Sequence, residues 1–194
     1  MYDDILDSDL EQPEQPEETY TYASFWARVG ATLIDSMLFV PLVFVSFYNL
    51  LEWKIYGIEF AIGLLNLIYK PLLEGIYGAT VGKMMTGLRV VDADYYPINL
   101  PVSILRNILY IGAGLVGMYS TFLIYESPGF ADITSFNDLD EFIQYSHSFA
   151  GWERLASMIV LLSCLLVLFD KYNQSLHDKI ARTYVLKKET NAAG

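Results

Sequence analysis

The 194-residue sequence has one cysteine, Cys164, which excludes an intramolecular disulfide framework. Its two histidines, His147 and His177, cannot build a Cys/His zinc cluster with that single thiol, so neither a metal nor a cofactor is expected. Charge is scarce: Asp, Glu, Lys and Arg make up 18% of the residues, against about 25% in ordinary soluble domains. Bases are scarcest, 12 against 23 acids, for a net charge of −11. The acids are also concentrated. Residues 1–18 hold eight acids and no base and residues 126–141 hold five acids and no base, leaving +2 for the remainder. No basic face is available for phosphates, which excludes a nucleic-acid binder. A secretory signal is not expected, because the first residues are acidic and no early apolar run follows.

What is abundant is apolar, 54% of all residues. A bilayer core about 30 Å thick takes about 20 mostly apolar helical residues. Four segments reach that length: about 29–51, with one charge at Asp35; 55–77, with Glu59, Lys70 and Glu74; 104–125, with Arg106 at its start; and 152–171, around an uncharged stretch from Leu155 to Phe169. Residues 1–22, acidic and containing Pro13 and Pro16, are expected to be a disordered tail. Residues 23–187 form the membrane domain, 126–151 an acidic loop, and 188–194 a C-terminal tail.

Loop charges predict the orientation. Lys171, Lys179, Arg182, Lys187 and Lys188 follow the fourth segment, and Lys83 and Arg89 lie between the second and third. Residues 126–151 contain no Lys or Arg. Both termini and the middle connection are therefore expected to be cytoplasmic in a multi-pass membrane protein, with the acidic loop outside. On the cytoplasmic side Leu88–Val91 and Ile98–Leu100 read as two short strands around a turn, with Thr183–Leu186 as a third. Residues 78–87 read as a short interfacial helix with Met84 and Met85 toward lipid and Lys83 toward headgroups. The expected fold is an all-α membrane protein: a four-helix transmembrane bundle with a small cytoplasmic β element.

The charges inside the spans carry the functional question. Arg28 and Asp35 are seven residues apart, on one helix face and roughly 10 Å apart along the axis. Arg28 can snorkel to phosphate groups, but Asp35 has no such escape and must face the bundle, a wet cavity or a cation. Arg106 is its expected partner. The alternatives are an ion- or proton-handling carboxylate and an architectural one that pins helices together. Lys70 and Glu74, four apart, are expected to pair with each other. Asp170, Lys171, His177, Asp178 and Lys179 cluster after the fourth span and could link Arg28 to the cytoplasmic sheet. Gly112–Gly117 spells G-x-G-x-x-G, but within a span and with no preceding strand, so its glycines are expected to serve helix packing rather than a nucleotide. GATVGKM is one residue short of a phosphate loop and has Met84 where Ser or Thr would hold a metal.

Four blocks in order, YASFWARVGATLIDSMLF, GATVGKMMTGLRVVDADYYPI, SILRNILY and FDKYNQSLHDKIARTYVL, resemble the RDD family of small bacterial membrane proteins, named for an arginine and two aspartates. The resemblance covers about residues 22–187. It places the arginine on Arg28, the first aspartate on Asp35 and the second on Asp178, with Gly82, Lys83 and Gly87 in a Gly-Lys block and Arg106 and Asn107 in a Leu-Arg-Asn block. The long acidic loop and the proline-containing acidic tail depart from the family's usual pattern. The resemblance implies transport of an unidentified ligand.

Two functions follow as expectations. One is a transporter or ion-coupled permease subunit, with Asp35 as the reversible cation or proton site and Arg28 setting its charge state. The other is a non-catalytic membrane subunit or assembly factor whose charged residues are architectural. An enzyme is not expected: the one interfacial pair, His177 and Asp178, is adjacent on a helix, and adjacent helical residues do not face each other. Expected partners are membrane lipid and either further copies of the chain or a membrane partner protein.

Overall fold

The computed structural model describes residues 20–145 and 147–188. Most of the proposed N-terminal tail, most of the C-terminal tail and the side chain of His147 lie outside the described residues. In chain order the elements are β1 (Tyr20–Tyr22), α1 (Phe25–Tyr48), α2 (Tyr56–Tyr77), α3 (Val81–Met85), β2 (Leu88–Asp92), α4 (Leu100–Arg106), α5 (Ile108–Glu126), α6 (Phe136–Tyr145), α7 (His147–Leu165), α8 (Leu176–Ala181) and β3 (Thr183–Lys188). The chain is mostly helical, with one small sheet.

Ser24 starts α1 by accepting from the backbone N–H of Ala27 at 3.3 Å, leaving Arg28 in the first turn. The helix tolerates Pro41 and continues as a wider π-type turn over Asn49–Trp53. Asn49, fully buried, closes the reversal into α2: its Oδ1 accepts from Ile55 N–H and its Nδ2 donates to Ile55 O, both at 3.1 Å. Gly78, at φ 73°, stops α2 in the left-handed conformation that glycine enters without steric cost. By length and composition two helices are long and apolar enough to cross a membrane, Phe25–Trp53 and Ile108–Glu126. The 22-residue α2 has the length but carries Glu59, Lys70 and Glu74. In α7 the apolar stretch is shorter and runs on through a 3-10 turn at Leu166–Phe169.

The strands form an antiparallel sheet in the order β1-β3-β2, with Tyr22 opposite Leu186 and Val90 opposite Val185. Val90, Val185, Leu88 and Ile98 pack with Ala23 and Ala31 against the first turns of α1. At the far end of α1 and α5, Phe130, Ile133 and Leu139 pack with Leu50, Leu51 and Tyr125. The sheet and the acidic 126–145 region therefore occupy opposite ends of the helices.

Several boundaries differ from the expectations. Tyr20–Tyr22 is a strand rather than part of the tail, because β3 offers it an open edge. Ile98–Leu100 is not a strand. Only Pro97 bridges to Val91, after which Asn99 caps α4 by accepting from Val102 N–H at 3.1 Å. The third segment breaks at Asn107, so Arg106 closes a separate short helix. The acidic loop contains α6 and the start of α7. Of the three glycines in GAGLVG only Gly114 packs closely, against Leu67; space around Gly112 and Gly117 is open.

Candidate functional site

Residues 175–178 present the capping-box pattern Ser-x-x-Asp, and it forms: Asp178 N–H donates to Ser175 Oγ at 3.3 Å, and Ser175 N–H donates to Asp178 Oδ2 at 3.0 Å. This fixes the Asp178 carboxylate, which is fully buried, at the start of α8. Arg28 Nη1 donates to Oδ2 at 2.7 Å, while Arg106 Nε and Nη2 donate to Oδ1 at 2.9 and 2.6 Å. Burial alone would raise this carboxyl's pKa. Arg106 first, then Arg28, outweigh that and hold it well below the usual carboxylate range.

Arg106 continues the chain of charges. Its Nη1 donates to Glu74 Oε2 at 2.9 Å, beside Asn107 Nδ2 at 3.0 Å, and Lys83 Nζ donates to Glu74 Oε1. Arg28, Asp178, Arg106, Glu74 and Lys83 thus alternate in sign, and each comes from a different helix: α1, α8, α4, α2 and α3. Burial draws the Lys83 ammonium down to about 8 against the pull of Glu74. His177 extends the cluster on its exposed side, with Nδ1 3.1 Å from Ser163 Oγ and Nε2 3.8 Å from Asp178 Oδ1. Burial lowers its pKa to about 4, so it is neutral at pH 7.

Asp35 belongs to a second, neighbouring constellation. Its Oδ1 accepts from Tyr69 OH at 2.8 Å and from Gly82 N–H at 2.6 Å, and its Oδ2 accepts from Thr80 Oγ1 at 2.6 Å. The contact docks α3 on α1 and explains Gly82: a Cβ there would lie 2.0 Å from Ala31 O and 2.9 Å from Asp35 Cγ. Gly87 has a different task. At φ 68° with open space around it, it turns the chain out of α3 into β2.

Four expected partnerships are corrected. Arg106 does not meet Asp35, because Asp178 and Glu74 take all three of its donating nitrogens. Arg28 donates to Asp178 and to Asn173 O, at 2.7 Å each, instead of reaching outward. Glu74 pairs with Arg106 and Lys83, whereas Lys70 lies over the Tyr110 ring, 4.8 Å from its centroid. Lys83 turns inward to Glu74 while Met84 and Met85 are exposed. The expected link from Arg28 to the segment after α7 is present, through Asp178. Tyr69, Thr80 and Ser175 also hold these carboxylates, and of the three only Ser175 carries a signal readable in the sequence, its capping-box spacing.

Beside the charges lies a cavity of about 310 Å³ between α1, α2, α5 and α7. Arg28, Lys70, Lys83, Glu74, Arg106 and Asp35 border its polar side, and Val29, Leu33, Leu109, Val160, Leu161 and Leu165 its apolar side. At the far end of the helices a smaller polar group gathers around Glu59, which accepts from Ser46 Oγ at 2.7 Å and Asn49 Nδ2 at 2.9 Å.

Comparison with known proteins places residues 22–182 on the model of the RDD family. An uncharacterized protein, YckC of Bacillus subtilis (strain 168), is 36% identical over 99 residues. That match spans 50% of this chain and 62% of YckC. No solved structure matches.

Proposed function

The chain belongs to the RDD family of membrane proteins, and on that premise we propose that it is a multi-pass component of the bacterial inner membrane that transports a ligand. In this reading α1, α2, α5 and α7 form a four-helix transmembrane bundle. The sheet lies at the cytoplasmic face with both ends of the described chain, a placement supported by β1 and β3 being neighbours in it and by the lysines and arginines of that end. The helices carry a charged layer that the bilayer would not tolerate facing lipid. The observation that carries the transport reading is the cavity of about 310 Å³ beside that layer, since charges that only pin helices need no void next to them. Its volume falls at the lower end of small-molecule sites, about 300–1,000 Å³. Four helices enclose little space, so further copies of the chain or a membrane partner are expected to complete the route.

The architectural reading keeps one specific support. Asp35 takes three donors and Asp178 four, as residues built to hold helices would. We therefore assign the ligand to the cavity rather than to the oxygens of Asp35. The test is untargeted: proteoliposomes containing the protein are bathed in a small-molecule extract of cells under imposed proton, sodium and potassium gradients. Mass spectrometry of the lumen should find at least one solute enriched over empty liposomes. Identical contents, with identical dissipation of all three gradients, would sink transport and leave the architectural reading.

A further inference from the structure

The cavity is electrostatically lopsided. Arg28, Lys70, Lys83 and Arg106 border it, against Asp35 and Glu74, with Asp178 behind Arg28 and Arg106. Four cations and three carboxylates leave one positive charge, and His177 adds none at pH 7. The pairing shows where the surplus sits. Arg28, Arg106 and Lys83 are each bound to a carboxylate. Among the described residues Lys70 has no carboxylate within ion-pair distance, and its ammonium lies over the Tyr110 ring. Leucines and valines, Val29, Leu33, Leu109, Val160, Leu161 and Leu165, supply most of the apolar wall.

We propose that this cavity binds an amphiphilic anion, one acidic group on an alkyl chain, with Lys70 holding the acid and the leucine and valine side chains holding the alkyl chain. This rests on the transport reading, whose substrate class it names. A cation meets a net positive charge and no free carboxylate, since Asp35 and Glu74 are already taken by donors from the protein. A small hydrated anion could meet Lys70 but would leave the leucine and valine wall uncovered, forgoing the burial that an alkyl chain gains there. A phospholipid and a free alkyl acid share the required chemistry.

Cys164, the chain's single cysteine, borders the same cavity and reports its occupancy. The full chain is purified in dodecyl maltoside, and the rate at which Cys164 reacts with neutral methyl methanethiosulfonate is followed by mass spectrometry. Dodecyl phosphate should slow the reaction about tenfold, and dodecyltrimethylammonium, of equal chain length and opposite charge, should not. Lys70→Gln should lose the protection and Lys70→Arg keep it, both with unchanged melting temperatures because no ion pair is broken. Phosphatidylglycerol is the second arm: protection by it as well assigns the site to membrane lipid, and protection by dodecyl phosphate alone assigns it to a free amphiphile. Equal protection by the cationic amphiphile, or full protection in Lys70→Gln, overturns the proposal. Protection without any solute accumulating in proteoliposomes retains the anion site and overturns transport; accumulation without protection does the reverse.

Discussion

Arg106 and Asp178, 72 residues apart in sequence, meet through two hydrogen bonds to one oxygen, Arg106 Nε and Nη2 donating to Asp178 Oδ1 at 2.9 and 2.6 Å. Both side chains are almost wholly buried, so neither charge can be recovered by water if the other is removed. Removing one partner of such a pair costs about 3–5 kcal/mol. Asp178→Asn should therefore lower the melting temperature steeply. Arg28→Gln, which leaves Asp178 with Arg106, should cost only about 2 kcal/mol. Thermal melts in detergent, read by monodispersity on size exclusion, check the order. A stable Asp178→Asn would show that the cluster does not hold the helices.

Glycine at two positions should respond very differently to one added methyl group. At Gly82 the new Cβ would sit 2.0 Å from a backbone oxygen of α1, an atom that cannot swing aside. The short helix α3 must then leave α1, and Asp35 loses its donor from Gly82. At Gly87 space is open and only the positive φ is strained, which costs about 1 kcal/mol. Gly82→Ala should abolish a monodisperse preparation, whereas Gly87→Ala should remain purifiable with a slightly lower melting temperature. Equal behaviour would contradict the close docking of α3.

The charged residues were legible as anomalies before their partners were. An aspartate in an apolar run announces itself by desolvation cost, which is why Arg28, Asp35 and Arg106 stand out. Spacing along one helix, however, says nothing about which face of another helix it meets. So the sequence alone offers Asp35 as the partner of Arg106, while the true partner, Asp178, lies in the six-residue helix α8, which follows α7. Lys70 and Glu74 illustrate the same limit: a four-residue spacing permits a pair, and tertiary packing gave Glu74 two better cations. The strands β2 and β3 followed from β-branched runs. β1 did not, because Tyr20–Tyr22 continues an acidic, proline-containing stretch and gains its order from the edge of β3.

Topology is testable with the same lone thiol removed. In a Cys164→Ser background, a cysteine at Asp138 in α6 and another at Asp94 in the turn after β2 lie at opposite ends of the helices. If the lysine- and arginine-rich end is cytoplasmic, a membrane-impermeant maleimide should label Asp138→Cys on intact spheroplasts. Asp94→Cys should be labelled only after permeabilisation. Labelling in the opposite sense would reverse the orientation, and labelling of both from outside would remove the bundle from the membrane.

Acid should loosen the protein through His177. Burial holds the folded imidazole at about 4, against about 6.5 in an unfolded chain. Between those values the unfolded state binds the extra proton, so stability is fully present above about 6.5 and falls as the pH drops toward 4. A difference of that size is worth about 3 kcal/mol at its limit, reduced by the partial exposure of the ring. Asp178 does not contribute in this window, because its arginines keep it ionised to far lower pH. Melting temperature plotted against pH should decline from 7 to 4.5 in the wild type. His177→Gln, which can still hydrogen-bond Ser163 but has no proton to gain, should flatten that decline while matching the wild type near neutrality. An unchanged slope in the variant would place the acid sensitivity elsewhere in the cluster.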